Sequence, residues 1–420
     1  MDKLLVEGGS RLKGEVEISG SKNSSLAIIS ASILSDGDII LKNVPALRDV
    51  ETISKVLRSL GARVYINGNE VKIEPKGIKK FETPYELVKT MRASIYVMGP
   101  LLTKFGTARV ALPGGCVIGT RPVNLHIKGL ESMAAKISIE AGYINAKAGR
   151  LKGAEINLDV VSVGATANIM MAGTLADGVT IIRNAAKEPH ILDLGKFLKK
   201  MGAKIYGLGT DCITIKGVRK LRGCTYGIVP DYIEAGTYMV AGSITGGNIL
   251  LKSVPVDNLD IVIDKIISSG SNLKKFPNNR IRVTGKKIIK PVDITTLPYP
   301  GFPTDMQAQW MSLMAIARGV SVITETIWEN RFMHVAELNR MGADIKIDGN
   351  RVFVKGVKGL SGAQVMVSDL RAGAALVLAA LVAHGKTEIS RIYHLDRGYE
   401  KLEEKLTKLG AKIKRVRGTQ

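Results

Sequence analysis

One of the three cysteines, Cys116, stands in the stretch LPGGCVIGTRPVNLH (112–126), behind Gly114 and Gly115 and five residues before Arg121. Cysteines that only pack sit in apolar periodic segments, whereas Pro-Gly-Gly marks a loop. A thiol with an ordinary pKa of ~8.5 is mostly protonated at neutral pH and can donate a proton. A guanidinium beside it would lower that pKa, giving a better nucleophile and a weaker acid. The plain alternative is an incidental loop thiol. A second pattern is a set of polar residues at strand-to-helix turns. These turns are ISGSKNSS around Lys22, LVKTMRAS around Arg92, VSVGATAN around Gly164, VPDYIEAGT around Glu234, PGFPTDMQAQ around Asp305 and VSDLRAGAA around Arg371. Helix N-termini carry unpaired N–H groups and partial positive charge, which suits an anion. Any one such turn reads as a capped helix, and Asp305 on its own reads as an N-cap. Six turns in register, with Lys22, Arg92 and Arg371 among them, point to a shared anionic ligand site.

The turns recur because the chain repeats itself. Helix endings SLGARV, SMAAKI, KMGAKI, SSGSNL, RMGADI and KLGAKI centre on Gly61, Ala134, Gly202, Gly270, Gly342 and Gly410, at intervals of 73, 68, 68, 72 and 68. After the first and the fifth come YINGNEVKIEP (65–75) and KIDGNRVFVKG (346–356), alternating strands around Asn-Gly and Asp-Gly, the strongest short hairpin signal. Before the first lies DVETISKVLRSLGA, in which Ile53, Val56, Leu57 and Leu60 form one apolar stripe. Asp49 is expected to cap that helix and Gly61 to end it. The reading is an α/β protein of six repeated units, three in each of two similar halves. If the halves face one another, up to six helix openings would converge on the cleft between them.

Composition bounds the function. The 420 residues suit two or three domains, and 45% hydrophobic with 23% charged residues suits a globular enzyme. The net charge of +22 admits a nucleic-acid partner, but the lysines are scattered and aromatic residues make up only 5%. No nucleic acid is expected; the charge fits a basic surface around an anionic small-molecule site. The start MDKLLVEGGS lacks a signal-peptide core, and the longest apolar run, AGAALVLAALVAH (372–384), is too short to span a bilayer. With three cysteines and no Cys-x-x-Cys or Cys/His spacing, neither a disulfide framework nor a zinc site is expected. A reducing cytoplasm, no membrane, no metal and no cofactor follow as expectations.

The motifs SGSKN, LVKTMRAS, LPGGCVIGTRPVNLH, VSVGATAN, FPTDMQAQ, ENRFMHV, DLRAGAALVLAAL and IYHLDRGYE run the length of the chain. Together they resemble the enolpyruvyl transferases, and most closely the branch that acts on UDP-N-acetylglucosamine. The resemblance implies a two-domain inside-out α/β barrel. One domain would hold 21–229 and the loop of Cys116, the other 1–20 and 230–420, with the active site in the cleft between. It implies transfer of the enolpyruvyl group of phosphoenolpyruvate to the 3-hydroxyl of the sugar by addition and elimination, with release of phosphate, the committed step of peptidoglycan synthesis. By the same resemblance Cys116 is the proton donor, on a lid that closes over substrate, and is also the target of epoxide inhibitors such as fosfomycin. Lys22, Asn23, Arg121 and Arg397 clamp phosphoenolpyruvate. Asp305 is the carboxylate for the sugar hydroxyl, reversing the simpler reading as a cap. Arg92, Arg121, Pro122, Val123, Asn124, Leu125, Ser162, Val163, Gly164, Asp305 and Ile327 line the sugar nucleotide. Arg331, Asp369 and Arg371 support them, and Glu234 is a weaker candidate of the same kind.

Three residues depart from the family pattern. Asn124 stands where an aspartate is expected, Val160 where lysine is common, and His190 in place of a glutamate. All lie away from the clamp and the thiol, so they bear on nucleotide affinity and not on reaction type. The five histidines show no metal spacing and read as polar or packing residues. The rivals are the sister reaction on shikimate 3-phosphate, a non-catalytic sensor of UDP-sugars, and an RNA-processing protein on a related fold. The LPGGC loop and RPVNL argue against the first. Intact Cys116, Lys22, Asp305 and Arg397 argue against the second.

Overall fold

A computed structural model describes residues 2–89, 91–112 and 123–418, and of Arg92 the backbone alone. The described chain forms two compact units, one of residues 20–112 and 123–229, the other of 2–19 and 230–418.

Each unit repeats one motif three times, and each repeat builds one small sheet, six sheets in all among the described residues. In the first repeat a strand, Ile39–Lys42, leads to a helix, Arg48–Leu60, and then to the hairpin of Arg63–Asn67 and Glu70–Glu74. The hairpin turns at Asn-Gly, with Gly68 at φ 55°, and its last strand runs antiparallel to Ile39–Lys42. Strand Cys224–Gly227 adds a parallel edge. Among the described residues, the sixth repeat draws one hairpin strand from elsewhere in the chain. The N-terminal strand Lys3–Glu7 takes that place, antiparallel to both Lys386–Ser390 and Lys412–Val416. Its alternation decides which face it buries, with Leu4 and Val6 inside.

All six helix-ending positions turn left-handed, from Gly202 at φ 111° to Ala134 at φ 68°. Five are glycine, which takes this conformation without the Cβ clash that alanine bears at the sixth. The Arg48–Leu60 helix shows the expected stripe of Ile53, Val56, Leu57 and Leu60, but Asp49 does not cap it. The capping position is Leu47, with no side-chain bond, and Asp49 is a buried member of the first turn.

The helices opened by the six turns form the centre of each unit. Tyr232–Ile244, Gln307–Met314 and Leu370–Ala380 are buried nearly all round in one unit, and Lys22–Ala31, Met98–Phe105 and Val163–Gly173 form the corresponding set in the other. A helix apolar on every side belongs in a core, so these six sit inside and the sheets outside. Some polar side chains within this core bond from one helix to another. Ser312 Oγ donates to Ala375 O at 2.8 Å, and Thr103 Oγ1 to Ala172 O at 2.8 Å. The apolar run at 372–384 is the Leu370–Ala380 helix and its continuation. No helix among the described residues is long and apolar enough to cross a membrane.

Candidate active site

In the first unit, Ser21 caps the Lys22–Ala31 helix by accepting from Ser24 N, which leaves Lys22 and Asn23 half-buried in its opening turn. Lys22 Nζ lies 3.0 Å from Asp49 Oδ2, with only 12% and 4% of the two side chains exposed. An ammonium on a flexible stem needs such a partner to keep one position and its charge in a buried setting. Asp49 therefore serves Lys22, not its own helix end.

The Val163–Gly173 helix opens in the same way. Ser162 Oγ accepts from Ala165 N, and Ser162, Val163 and Gly164 stay half-buried. Helix Asn124–Ser132 packs beside it, with Leu125 buried and Asn124 exposed at its first turn. His126 links the two. Asn168 Oδ1 accepts from Gly99 N at 2.9 Å and its Nδ2 donates to Ile95 O at 3.0 Å, which fixes the amide orientation. That same Nδ2 lies 2.8 Å from His126 Nδ1, so Nδ1 must accept and the ring proton sits on Nε2. Burial pushes the His126 pKa down to about 4 and keeps the ring neutral. A side chain on residue 164 would put its Cβ 2.9 Å from His126 Nε2, so only glycine fits there. His126 is not a general packing histidine; it presents a defined N–H beside the 162–164 turn.

In the second unit, three candidates, Arg331, Arg371 and Ile327, gather around Asp305. Arg331 Nη2 donates to Oδ1 at 2.8 Å, while Arg371 Nη2 and Nε reach Oδ2 at 3.0 and 3.2 Å. Asp305 makes no helix cap: the Gln307–Met314 helix and the short turn Thr304–Met306 before it have no side-chain cap bond. Arg331 Nη1 also donates to Thr304 Oγ1 at 2.8 Å, and Thr304 donates to Glu325 Oε2 at 2.8 Å. Glu325 Oε1 then accepts from Ile327 N at 2.8 Å, which ties the Ile327 backbone to the Asp305 cluster. Nothing in ITETIW marks Glu325 off from a surface carboxylate, yet in the fold it is buried. Burial pushes the Asp305 pKa up, but Arg371 and Arg331 outweigh it and hold the carboxyl well below the usual range. Its side chain keeps 28% exposure.

The other candidates are more dispersed. Asp369 caps the Leu370–Ala380 helix, accepting from Arg371 N at 2.9 Å and Ala372 N at 3.1 Å. Glu234 is buried, pairs with Lys405 Nζ at 2.7 Å and accepts from Ser19 N at 2.7 Å. Burial raises its pKa. Arg397 ends the short helix Ile392–Arg397 and is half-buried. Arg92 opens the turn Arg92–Val97. Val123 is half-buried just before the Asn124–Ser132 helix. Cys116, Arg121 and Pro122, with the expected lid, lie outside the described residues. Among the described residues no group of three or more histidines, cysteines and carboxylates is placed to hold a metal ion.

A family profile for EPSP synthase (3-phosphoshikimate 1-carboxyvinyltransferase) matches residues 6–406. The UDP-N-acetylglucosamine 1-carboxyvinyltransferase of Geotalea uraniireducens (strain Rf4) is 56% identical over 416 residues, covering 99% of this chain and 100% of that one. The UDP-N-acetylglucosamine 1-carboxyvinyltransferase 1 of Caldanaerobacter subterraneus subsp. tengcongensis is 55% identical over 413 residues, covering 98% and 99%. Among solved structures, the enolpyruvyl transferase NikO from Streptomyces tendae matches with a TM-score of 0.89 at 25% identity, over 99% of each chain. EPSP synthase from Acinetobacter baumannii shares the fold at a TM-score of 0.78 and 20% identity, over 99% of this chain and 100% of that one.

Proposed function

The chain belongs to the enolpyruvyl transferase family, and on that premise we propose that it moves the enolpyruvyl group of phosphoenolpyruvate onto the 3-hydroxyl of UDP-N-acetylglucosamine. The observation that carries this reading is full-length similarity, at more than half identity, to carboxyvinyltransferases named for that acceptor. The family profile bears the name of the sister enzyme for 3-phosphoshikimate, so the acceptor is the point a test must decide. The product would enter peptidoglycan synthesis, in the cytoplasm.

The chemistry balances without an outside reagent. In the addition, the sugar oxygen bonds to carbon 2 of phosphoenolpyruvate, its proton leaves, and carbon 3 gains a proton. In the elimination, carbon 3 returns a proton and the bond from carbon 2 to the phosphate oxygen breaks. The hydroxyl proton and phosphate are the net release. Cys116 supplies the proton for carbon 3. Lys22, Asn23, Arg121 and Arg397 hold the phosphate and carboxylate, with the Asp49 carboxylate keeping Lys22 aimed. Ser162, Val163 and Gly164 at their helix opening, with Arg92, Pro122, Val123, Asn124, Leu125 and Ile327, hold the sugar nucleotide.

Asp305 takes the hydroxyl proton. Its two guanidinium partners favour the anion, so in the free protein it accepts hydrogen bonds well and protons poorly. It becomes a better base when an anionic substrate draws Arg331 or Arg371 partly away. Incubation with both substrates, followed by mass spectrometry and proton NMR, should give a sugar nucleotide bearing an enolpyruvyl ether with vinyl protons. Recovery of unchanged UDP-N-acetylglucosamine would overturn the reading.

A further inference from the structure

We propose that Tyr399 is a positioning residue for this reaction, its ring holding the Arg371 guanidinium in the orientation that grips Asp305. This rests on the role proposed above for Asp305. The Arg371 guanidinium carbon lies 5.3 Å from the centre of the Tyr399 ring, and both residues are buried. A cation over an aromatic face is strongly attracted when water is excluded from both. The same guanidinium sends Nε and Nη2 to Asp305 Oδ2, so it is held by Tyr399, ring and hydroxyl together, on one side and by the carboxylate on the other.

The ring itself is fixed at its tip. Thr237 Oγ1 donates to Ile233 O at 2.8 Å, which commits its only proton. The Tyr399 hydroxyl, 2.9 Å from Thr237 Oγ1, must therefore be the donor there. It accepts in turn from Gln309 Nε2 at 3.0 Å, and that amide also donates to Asp305 O at 2.9 Å. Tyr399 thus joins the helices Tyr232–Ile244, Gln307–Met314 and Leu370–Ala380 to the segment that carries Arg397, two residues before it. Nothing in RGYE singles out the tyrosine, because its partners lie 90 and 162 residues away.

Two readouts test this, one of them independent of turnover. In the ligand-free protein, the Arg371 Nε–H should be protected from solvent exchange by NMR, and the protection should persist in Tyr399→Phe, which keeps the π face. It should be lost in Tyr399→Leu, or in Tyr399→Met should the leucine variant fail to fold. In turnover, Tyr399→Leu should lower kcat roughly tenfold or more with little change in UDP-N-acetylglucosamine binding, and Tyr399→Phe should recover most of the loss. Combined with Arg371→Ala, Tyr399→Leu should cost nothing further, since it acts through a residue already removed. Unchanged protection without the ring, or additive losses in the double variant, would overturn the proposal. Absence of turnover in the unaltered protein would instead overturn the proposed reaction and leave the exchange result standing.

Discussion

Arg371 closes on a single oxygen of Asp305, with Nη2 at 3.0 Å and Nε at 3.2 Å from Oδ2, and so leaves Oδ1 to Arg331 at 2.8 Å. A carboxylate held on both oxygens is positioned before any substrate arrives. It is also a strong anion and a weak base, so its environment must change for it to take a proton.

Asp305→Asn separates these properties. The amide keeps the shape but cannot accept a proton at neutral pH, and turnover should fall by ~10²–10⁴-fold. It also leaves two buried guanidinium groups without their counter-charge, which should lower stability by about 3 kcal/mol in urea unfolding. Sugar-nucleotide binding should persist. Loss of that binding by calorimetry would make Asp305 a positioning residue, with the base elsewhere.

Lys22→Ala should weaken phosphoenolpyruvate binding more than sugar-nucleotide binding. A charge-assisted contact is worth roughly 1.5–3 kcal/mol, so about a ten- to hundredfold loss is expected. Asp49→Asn should shift the same ligand in the same direction, by less, because it loosens Lys22 without removing it. Equal losses for both ligands would mean that Lys22 organises a wider surface.

The repeat was legible because its signals are local. Left-handed residues at helix ends and Asn-Gly or Asp-Gly turns declare themselves within a few positions, and Gly61 through Gly410 all do so. The turns that open the buried helices were legible for the same reason. What each acidic residue does was less legible. Asp49 and Asp305 both stand where an N-cap signal is expected, yet each is taken by a cation distant in sequence. Asp369, read as a supporting charge, is the one that caps. Glu325, Asn168 and Tyr399 could not be found from spacing, since their meaning lies in partners brought together only by the fold.

On the proposed role of Cys116 as proton donor, Cys116→Ala should abolish turnover while thermal unfolding stays unchanged. Cys116→Asp should retain activity, since a carboxyl can also donate a proton, and should resist fosfomycin. Full turnover by the alanine variant would remove the acid role. Persistent alkylation of the aspartate variant would show another target.

The neutral state of His126 makes stability depend on pH. Its pKa is about 4 in the folded protein against 6.5 as an ordinary imidazole. As pH falls below 6.5 the unfolded chain takes up a proton that the folded protein refuses until about pH 4. The stabilisation present above pH 6.5 is therefore lost across that interval, by at most ~3 kcal/mol. His334, also held neutral with a pKa of about 4, adds a loss of the same sign. Urea unfolding from pH 7.5 to 4.5 should show a steeper decline for the unaltered protein than for His126→Gln. Parallel curves would mean that His126 is charged or exposed in the fold.

Phosphate release with different acceptors is the most direct test of the proposed reaction. With phosphoenolpyruvate and UDP-N-acetylglucosamine together, the protein should release phosphate in step with consumption of the sugar nucleotide, and neither substrate alone should support it. With shikimate 3-phosphate in place of the sugar nucleotide, release should stay at background. Release with shikimate 3-phosphate and none with UDP-N-acetylglucosamine would contradict the account.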